Sequence, residues 1–139
     1  MPDKALIYAR SATGRNLARQ EDKCRRWCDE NGIEVVRVRC ETGSMTALEL
    51  AHNELDGEVD FNILIAEDSA RYDRHGDRLI SLLDQATERA VRVFTIDGTE
   101  LTSPEGRWKF RMLTERDAYE KRIAEDRANR AAEEADSPE

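Results

Sequence analysis

Ser11 and Thr13 are hydroxyl-bearing residues that follow Arg10 with Ala12 between them, and they are the first candidates for chemistry in this chain. The apolar run 5–8 in front of them predicts a buried strand. A strand that leads into an arginine and a hydroxyl-bearing turn is one way in which α/β enzymes present a nucleophile. Whether Ser11, Thr13 or neither is a nucleophile decides whether this protein is an enzyme.

The composition limits the class of protein. The chain has 139 residues, enough for one domain with a modest core. Its formal net charge of −8 argues against tight autonomous binding to duplex DNA, because such binders usually carry a basic face. Three cysteines fit a reducing cytosol better than a disulfide scaffold, and no apolar run approaches the ~20 residues of a membrane span. We therefore expect a cytoplasmic protein that does not enter a membrane.

Strands and helices alternate along the sequence. Apolar runs predict strands over residues 5–8, 33–40, 59–66 and 91–96. Helical spacing predicts helices over residues 16–31, 77–89 and 103–134, and a short helix that begins at Thr46. The polar segment 67–76 is predicted to be a loop. Asn16 is the expected N-cap of the first helix, and Gly32 is its stop. This order predicts an α/β fold with a mostly parallel open sheet of four or five strands, flanked by helices.

The last predicted helix is long for a chain of this size. Ser103 and Pro104 give it a serine N-cap and a proline at the first helical position. Its apolar residues form a thin stripe among charges, namely Trp108, Met112, Leu113, Tyr119 and Ile123. A helix of about 30 residues is about 45 Å long, so part of it must project or meet a partner. We divide the chain into a core over 1–102, this helix over 103–134 and a disordered tail over 135–139.

Polar residues follow three of the predicted strands. Arg10 follows the first strand, Gly43 and Ser44 follow the second, and Arg71 and Arg74 follow the third. In an open parallel sheet the functional residues lie at the carboxyl ends of the strands. We therefore expect these residues at one edge of the sheet.

Four short motifs occur in order from the first strand to the long helix. They are Tyr8-Ala9-Arg10-Ser11-Ala12-Thr13, Arg19-Gln20-Glu21-Asp22-Lys23-Cys24, Ala70-Arg71-Tyr72-Asp73-Arg74 and Ser103-Pro104-Glu105-Gly106-Arg107. Each motif alone is weak, but their order and spacing together are specific. On these motifs the chain, over nearly its whole length, resembles the catalytic domain of serine recombinases, the resolvase/invertase family.

The resemblance implies a mechanism and a set of roles. In that family a serine hydroxyl attacks the scissile DNA phosphate and leaves a 5′-phosphoserine link, while arginines neutralise the phosphate. It implies that Arg10, Arg71 and Arg74 bind the phosphate and that Arg127 is a further DNA contact. It also implies that the apolar stripe of the long helix is a dimer interface. No cofactor is expected.

Three departures from the family pattern concern the chemistry itself. Ala12 stands where the family has its nucleophilic serine, and Ala70 stands where it has an aspartate. The family also has an arginine shortly after the loop that ends the second strand, and residues 43–47 contain none. The nucleophile, one acid and one arginine are therefore missing.

Ser11 is the nearest substitute for the missing serine. In an extended backbone neighbouring side chains point to opposite faces, so Ser11 would face away from a phosphate bound by Arg10. A rebuilt loop over residues 11–16 would be needed to re-aim it, and Thr13 is a second, secondary hydroxyl. We therefore predict that recombinase chemistry is lost. An active recombinase domain that uses Ser11 or Thr13 is the alternative.

The predicted function is that of a stand-alone, catalytically degenerate serine-recombinase-like domain, an accessory protein in site-specific DNA recombination, of a mobile element. Its expected partners are DNA, bound weakly, and a second copy or a full-length recombinase that pairs through the long helix. A second alternative is a scaffold that does not bind DNA, in which the arginines pair with Glu67, Asp68 and Asp73. Cys24 and Cys28 have a spacing that can bind metal, but we interpret them as core thiols and expect no metal site.

Overall fold

The apolar runs of the sequence form one parallel sheet with helices on both faces. The computed structural model describes residues 2–43, 45–73 and 76–136. Its elements are β1 (Lys4–Ser11), α1 (Leu17–Glu30), β2 (Glu34–Thr42), α2 (Ala47–Leu55), β3 (Ile63–Ala66), α3 (Ser69–Tyr72), α4 (Gly76–Glu88), β4 (Arg92–Thr95) and α5 (Pro104–Asp136). Among these residues the four strands pair in parallel in the order β2-β1-β3-β4. The predicted α/β fold with a long C-terminal helix is confirmed.

The strand β1 lies inside the sheet and is buried on both faces. Leu6 and Tyr8 belong to a core cluster that includes apolar residues of α2 and α4. Ala5 and Ile7 belong to a second cluster, on the other face, with apolar residues of α1. This double burial explains why residues 5–9 form an uninterrupted apolar run rather than an alternating one.

Two buried thiols anchor α1 on the second cluster. Cys24 and Cys28 are fully buried, and burial raises the pKa of Cys24 to about 12 and that of Cys28 to about 11. Both thiols therefore stay protonated at neutral pH and behave as small apolar groups. Within the described segments no three His, Cys, Asp or Glu side chains cluster as metal ligands would.

The first two helices begin in different ways. Thr46 is extended, with φ −98° and ψ 164°, and its hydroxyl accepts a hydrogen bond from the Glu49 N–H at 3.3 Å, as expected for an N-cap. Asn16 instead has left-handed φ 66° and ψ 10°, and its side chain makes no capping hydrogen bond. The predicted capping role of Asn16 is wrong, because an N-cap side chain reaches the free amides from an extended backbone. Gly32, with φ +68°, follows the end of α1 as predicted.

All four strands differ in length from the prediction, and β1 and β3 differ most. The ladder between β1 and β2 continues to the pair Ser11 and Thr42, so β1 includes residues that we expected in a turn. β3 begins only at Ile63, and Asn62 before it contacts β1 through its side chain as well as its main chain. Its side-chain oxygen accepts a hydrogen bond from the Lys4 N–H at 2.7 Å. The predicted strand over 59–66 is therefore too long by four residues.

The segment 67–76, predicted as a loop, contains the short helix α3. The Asp68 carboxylate accepts a hydrogen bond from the Arg71 N–H at 3.2 Å and caps this helix. The predicted loop is wrong here because one local cap is enough to fold a single helical turn.

The long helix α5 starts at a tight turn on the edge of the core. The Ser103 hydroxyl donates to the Glu100 carbonyl at 2.8 Å and accepts from the Gly106 N–H at 3.0 Å, which confirms the predicted serine cap. Arg107 forms an ion pair with Asp84 of α4. The helix continues through Asp136, two residues beyond its predicted end. No helix in the described part of the chain is long and apolar enough to cross a membrane.

Gly106 allows the first turn of α5 to lie directly on the preceding chain. A Cβ atom at this position would lie 2.2 Å from the Glu100 carbonyl oxygen, well inside the contact distance of two heavy atoms. A glycine-to-alanine change inside a helix normally stabilises it by about 1 kcal/mol. At this position the backbone oxygen cannot move aside without shifting the turn.

We predict that Gly106→Ala lowers the free energy of unfolding by about 1–3 kcal/mol, because the new methyl group overpacks the turn. Urea unfolding followed by circular dichroism measures the change. Ala118→Gly, on an exposed part of the same helix, reports the plain helix-propensity effect and should cost about 1 kcal/mol. A Gly106→Ala protein more stable than the parent would contradict the close contact.

Candidate active site

The end of β1 is held in place through its main chain. The fully buried Gln20 side chain binds both main-chain groups of Arg10: its oxygen accepts from the Arg10 N–H and its nitrogen donates to the Arg10 carbonyl, each at 3.0 Å. Arg71 donates a third hydrogen bond to the same carbonyl at 3.2 Å. Residues of α1 and α3 therefore fix the position of Arg10.

The pleat of β1 separates the side chains of Arg10 and Ser11, as predicted for neighbouring residues of an extended strand. Tyr8 packs on the face of the sheet that carries α2 and α4, and the alternation of the strand places Arg10 on that face as well. Ser11 is the next residue of the same strand and therefore faces the α1 side. Its hydroxyl accepts a hydrogen bond from the Thr13 N–H at 3.4 Å. Ser11 thus lies on the face of the sheet opposite Arg10.

Two residues of β1 have buried polar atoms on the face of the sheet that carries α2. The Tyr8 hydroxyl and one terminal nitrogen of Arg10 are buried, and neither has a hydrogen-bond partner among the described residues. Burial raises the pKa of Tyr8 to about 12, with Arg10, Glu41, Arg39 and Asp73 as the charges that act on it. The phenol therefore stays neutral. An unpartnered buried guanidinium nitrogen is costly and is typical of a place where an anion or water completes the site.

Arg71 is not free to bind a substrate anion with its whole guanidinium. One of its terminal nitrogens lies 3.4 Å from a Glu67 oxygen, and its Nε lies 3.7 Å from an Asp68 oxygen. Lys23 and Arg19 approach the other Glu67 oxygen at 3.4 Å and 3.6 Å. The carboxylate of Glu67 therefore collects three cations at the carboxyl end of β3.

A second ion-pair cluster joins β2 to α2. Glu54 is almost fully buried, and its two oxygens accept from Arg37 and Arg39, each at 2.7 Å. Arg39 also pairs with Glu41 at 2.8 Å. Glu41 lies opposite Arg10 in the ladder between β1 and β2. Acidic and basic side chains therefore alternate on this side of the sheet, in the order Glu54, Arg39, Glu41 and Arg10.

The structure brings only part of the predicted set together. Arg10 and Arg71 meet through the Arg10 carbonyl, as described above. Arg74 lies outside the described residues, as does the side chain of Leu113. Arg127 is exposed and lies in the C-terminal half of α5, far in sequence from the residues at the edge of the sheet. The Asp73 carboxylate accepts a hydrogen bond from the Ala47 N–H at 2.9 Å, at the start of α2.

The sequence indicated no role for Gln20 and, for Glu67, only that of an ion-pair partner of the arginines. One signal for Gln20 was present, because a glutamine four residues before Cys24 is a polar residue on an otherwise apolar helix face. For Glu67 the predicted pairing with an arginine is present in the ion pair with Arg71, but its contacts with Arg19 and Lys23 were not predicted. Its partners lie on α1 and α3, and only the folded sheet brings them to the same place.

Comparison with known proteins identifies the family. The model of the family "Resolvase, N terminal domain" matches residues 5–137. The chain belongs to the resolvase family. The serine recombinase resemblance drawn from the motifs is thereby confirmed.

Solved structures show the same resolvase fold. A resolvase family site-specific recombinase from Streptococcus pneumoniae is 15% identical with a TM-score of 0.74, and the match covers 97% of this chain and 99% of that one. The N-terminal catalytic domain of TP901-1 integrase is 19% identical with a TM-score of 0.68, covering 87% of this chain and 98% of that one. The C-terminal catalytic domain of ISC1926 TnpA, an IS607-like serine recombinase, is 21% identical with a TM-score of 0.58, covering 69% and 72%.

The Gln20 contact gives a direct test of how this resolvase-family site is built. We predict that Gln20→Ala lowers the free energy of unfolding by about 1–3 kcal/mol, because it leaves the Arg10 N–H without a partner. Gln85→Ala removes an exposed side-chain hydrogen bond to Asp56 and should cost about 0.5 kcal/mol or less. Equal losses in the two variants, measured by urea unfolding, would show that Gln20 does not hold the strand end.

Proposed function

We propose that this resolvase-family protein contacts DNA phosphates through Arg10 and Arg71 but does not form the covalent DNA link. One observation carries the proposal: a buried Arg10 nitrogen without a hydrogen-bond partner in the described part of the chain, in a segment whose position 12, two residues later, is an alanine. The arginine retains the capacity to bind an anion. A methyl group at Ala12 cannot act as a nucleophile.

The orientation of β1 supports the loss of chemistry. A substitute nucleophile at Ser11 would have to attack a phosphate held by Arg10 from the opposite face of the sheet. Nucleophilic displacement requires the attacking oxygen at about 3–3.5 Å from the phosphorus, in line with the leaving group. Thr13 lies in the turn after the strand and carries a secondary hydroxyl, which is more hindered.

The long helix supports a role in association. Trp108, Met112 and Tyr119 are 64%, 50% and 60% exposed, which is unusual for large apolar side chains. At 100° per residue these three and Ile123 fall within an arc of about 60° on α5. An apolar stripe of this length needs a partner, and we propose a second copy or a full-length recombinase.

From these features we infer an accessory protein of site-specific recombination in a mobile element. The core over residues 1–102 would contact the DNA backbone, and the helix over 103–134 would pair with the partner, with Arg127 as a further contact. With a net charge of −8, affinity for DNA alone is expected to be low, so the partner would supply the choice of site.

Incubation of the protein with a short nicked duplex at low salt tests both halves of the proposal. We expect weak binding that Arg10→Gln reduces about tenfold, because one charge-assisted contact to phosphate is lost. Arg26→Gln, an exposed arginine on α1, should change the affinity about twofold or less. We expect no denaturant-resistant protein–DNA adduct, because Ala12 has no hydroxyl.

Two results would contradict this function. An adduct that disappears in Ser11→Ala would show an active recombinase. Absence of DNA binding at low salt, or binding that Arg10→Gln and Arg71→Gln leave unchanged, would favour a scaffold that does not bind DNA. Thermal unfolding of each variant checks that the fold is intact.

Association through α5 is a separate prediction. We expect sedimentation velocity to show a concentration-dependent dimer for the parent protein. Tyr119→Lys should shift the dissociation constant at least tenfold towards monomer, because it places a charge inside the apolar stripe. Ala124→Lys adds the same charge on the other side of the helix and should leave association nearly unchanged. Equal effects of the two lysines would contradict an interface along the stripe.

A further inference from the structure

The carboxylate of Glu67 lies where a small anion would be bound. It follows the last residue of β3 directly, and only 13% of its side chain is exposed. Lys23 and Arg19 reach one of its oxygens from α1, and Arg71 reaches the other from α3, at distances between 3.4 and 3.6 Å. One compact oxygen-bearing group thus receives three cations from two elements.

The cations exceed the negative charge that they meet. Asp68 offsets one of them, at 3.7 Å from the Arg71 Nε, and one positive charge remains in excess over Glu67 and Asp68. The side chains of Arg19, Lys23 and Arg71 are 49%, 41% and 29% exposed, so solvent and ligands can reach them. Ion pairs between partly exposed groups contribute little to stability.

This arrangement has the chemistry of a phosphate site. A phosphate group presents several anionic oxygens, and proteins bind it with arginines and lysines that converge from different elements. The carboxylate of Glu67 offers two such oxygens in the same place. Because the site lies at the carboxyl end of the sheet and includes Arg71, it adjoins the strand end that carries Arg10.

We propose that Arg19, Lys23 and Arg71 form a subsite for a phosphate of the DNA backbone, and that Glu67 occupies it when DNA is absent. The proposal rests on the proposed function, since it takes Arg71 as a DNA contact. It adds Arg19 and Lys23 of α1 as phosphate-binding residues. It also adds Glu67 as a carboxylate of the protein that competes with phosphate for them. DNA must displace the Glu67 carboxylate before its phosphate can meet the three cations.

Replacement of Glu67 by glutamine tests the competitor. Glu67→Gln keeps the size of the side chain and removes its charge, so the three cations become available. We expect the affinity for a short duplex at low salt to rise about tenfold, with a salt dependence steeper by about one phosphate contact. Glu58→Gln removes the same charge from an exposed loop that precedes the opposite end of β3 and should change the affinity about twofold or less.

Removal of the α1 cations tests the subsite without changing Glu67. The double variant Arg19→Gln/Lys23→Gln should weaken DNA binding in the parent protein and abolish the gain in the Glu67→Gln background. Arg25→Gln/Arg26→Gln removes two charges from the same helix and should leave most of that gain in place. Thermal unfolding shows whether each variant folds.

The outcomes separate this inference from the proposed function. Suppose that Arg10→Gln weakens DNA binding but Glu67→Gln binds no more tightly than Glu58→Gln. Competition between Glu67 and DNA phosphate is then overturned, and the proposed function stands. If the two double variants are equivalent, the α1 subsite is overturned. If neither the parent nor Glu67→Gln binds DNA at low salt, both the inference and the proposed function are overturned.

Discussion

The two-residue period of an extended strand is the constraint on which the rest of this site depends. β1 is buried on both faces, so its register cannot slip by one residue without exposing an apolar side chain and burying a polar one. That register places the side chain of Arg10 on the face that carries α2 and the side chain of Ser11 on the face that carries α1. The side-chain amide of Gln20 then holds the main chain of Arg10, one residue before the ladder stops. A one-residue offset in sequence therefore becomes a difference between two faces of the sheet.

Several arginines of the sheet and its flanking helices are paired locally with carboxylates. Arg37 and Arg39 share the buried Glu54, and Arg71 shares Glu67 with two cations of α1. Such local pairing lets an acidic protein keep arginines at the edge of its sheet without a strong positive potential at long range. The buried terminal nitrogen of Arg10, like the Nε atoms of Arg39 and Arg71, has no hydrogen-bond partner among the described residues.

The parts of the structure that the sequence predicted are those that local interactions determine. Thr46 and Ser103 cap their helices through contacts within three residues, and Gly32 ends α1 through its own backbone preference. The four motifs indicated the family because they contain locally determined positions of this kind in a fixed order. The pairing of Glu67 with Lys23 and Arg19 could not be predicted, because these cations lie 44 and 48 residues earlier and meet it only in the folded structure. Asn16 misled because its residue type suits an N-cap and a left-handed turn equally well.

The close contact at Gly106 has a mechanical consequence for α5. The 33-residue helix is about 50 Å long, and its first turn is seated on the Glu100 carbonyl, with little room for rotation there. A change of about 10° in the direction of the first turn would move the far end by roughly 9 Å, as simple lever geometry on a rod of that length requires. The direction of the far end of α5 therefore depends on Gly106, whose lack of a side chain lets the first turn pack against the Glu100 carbonyl.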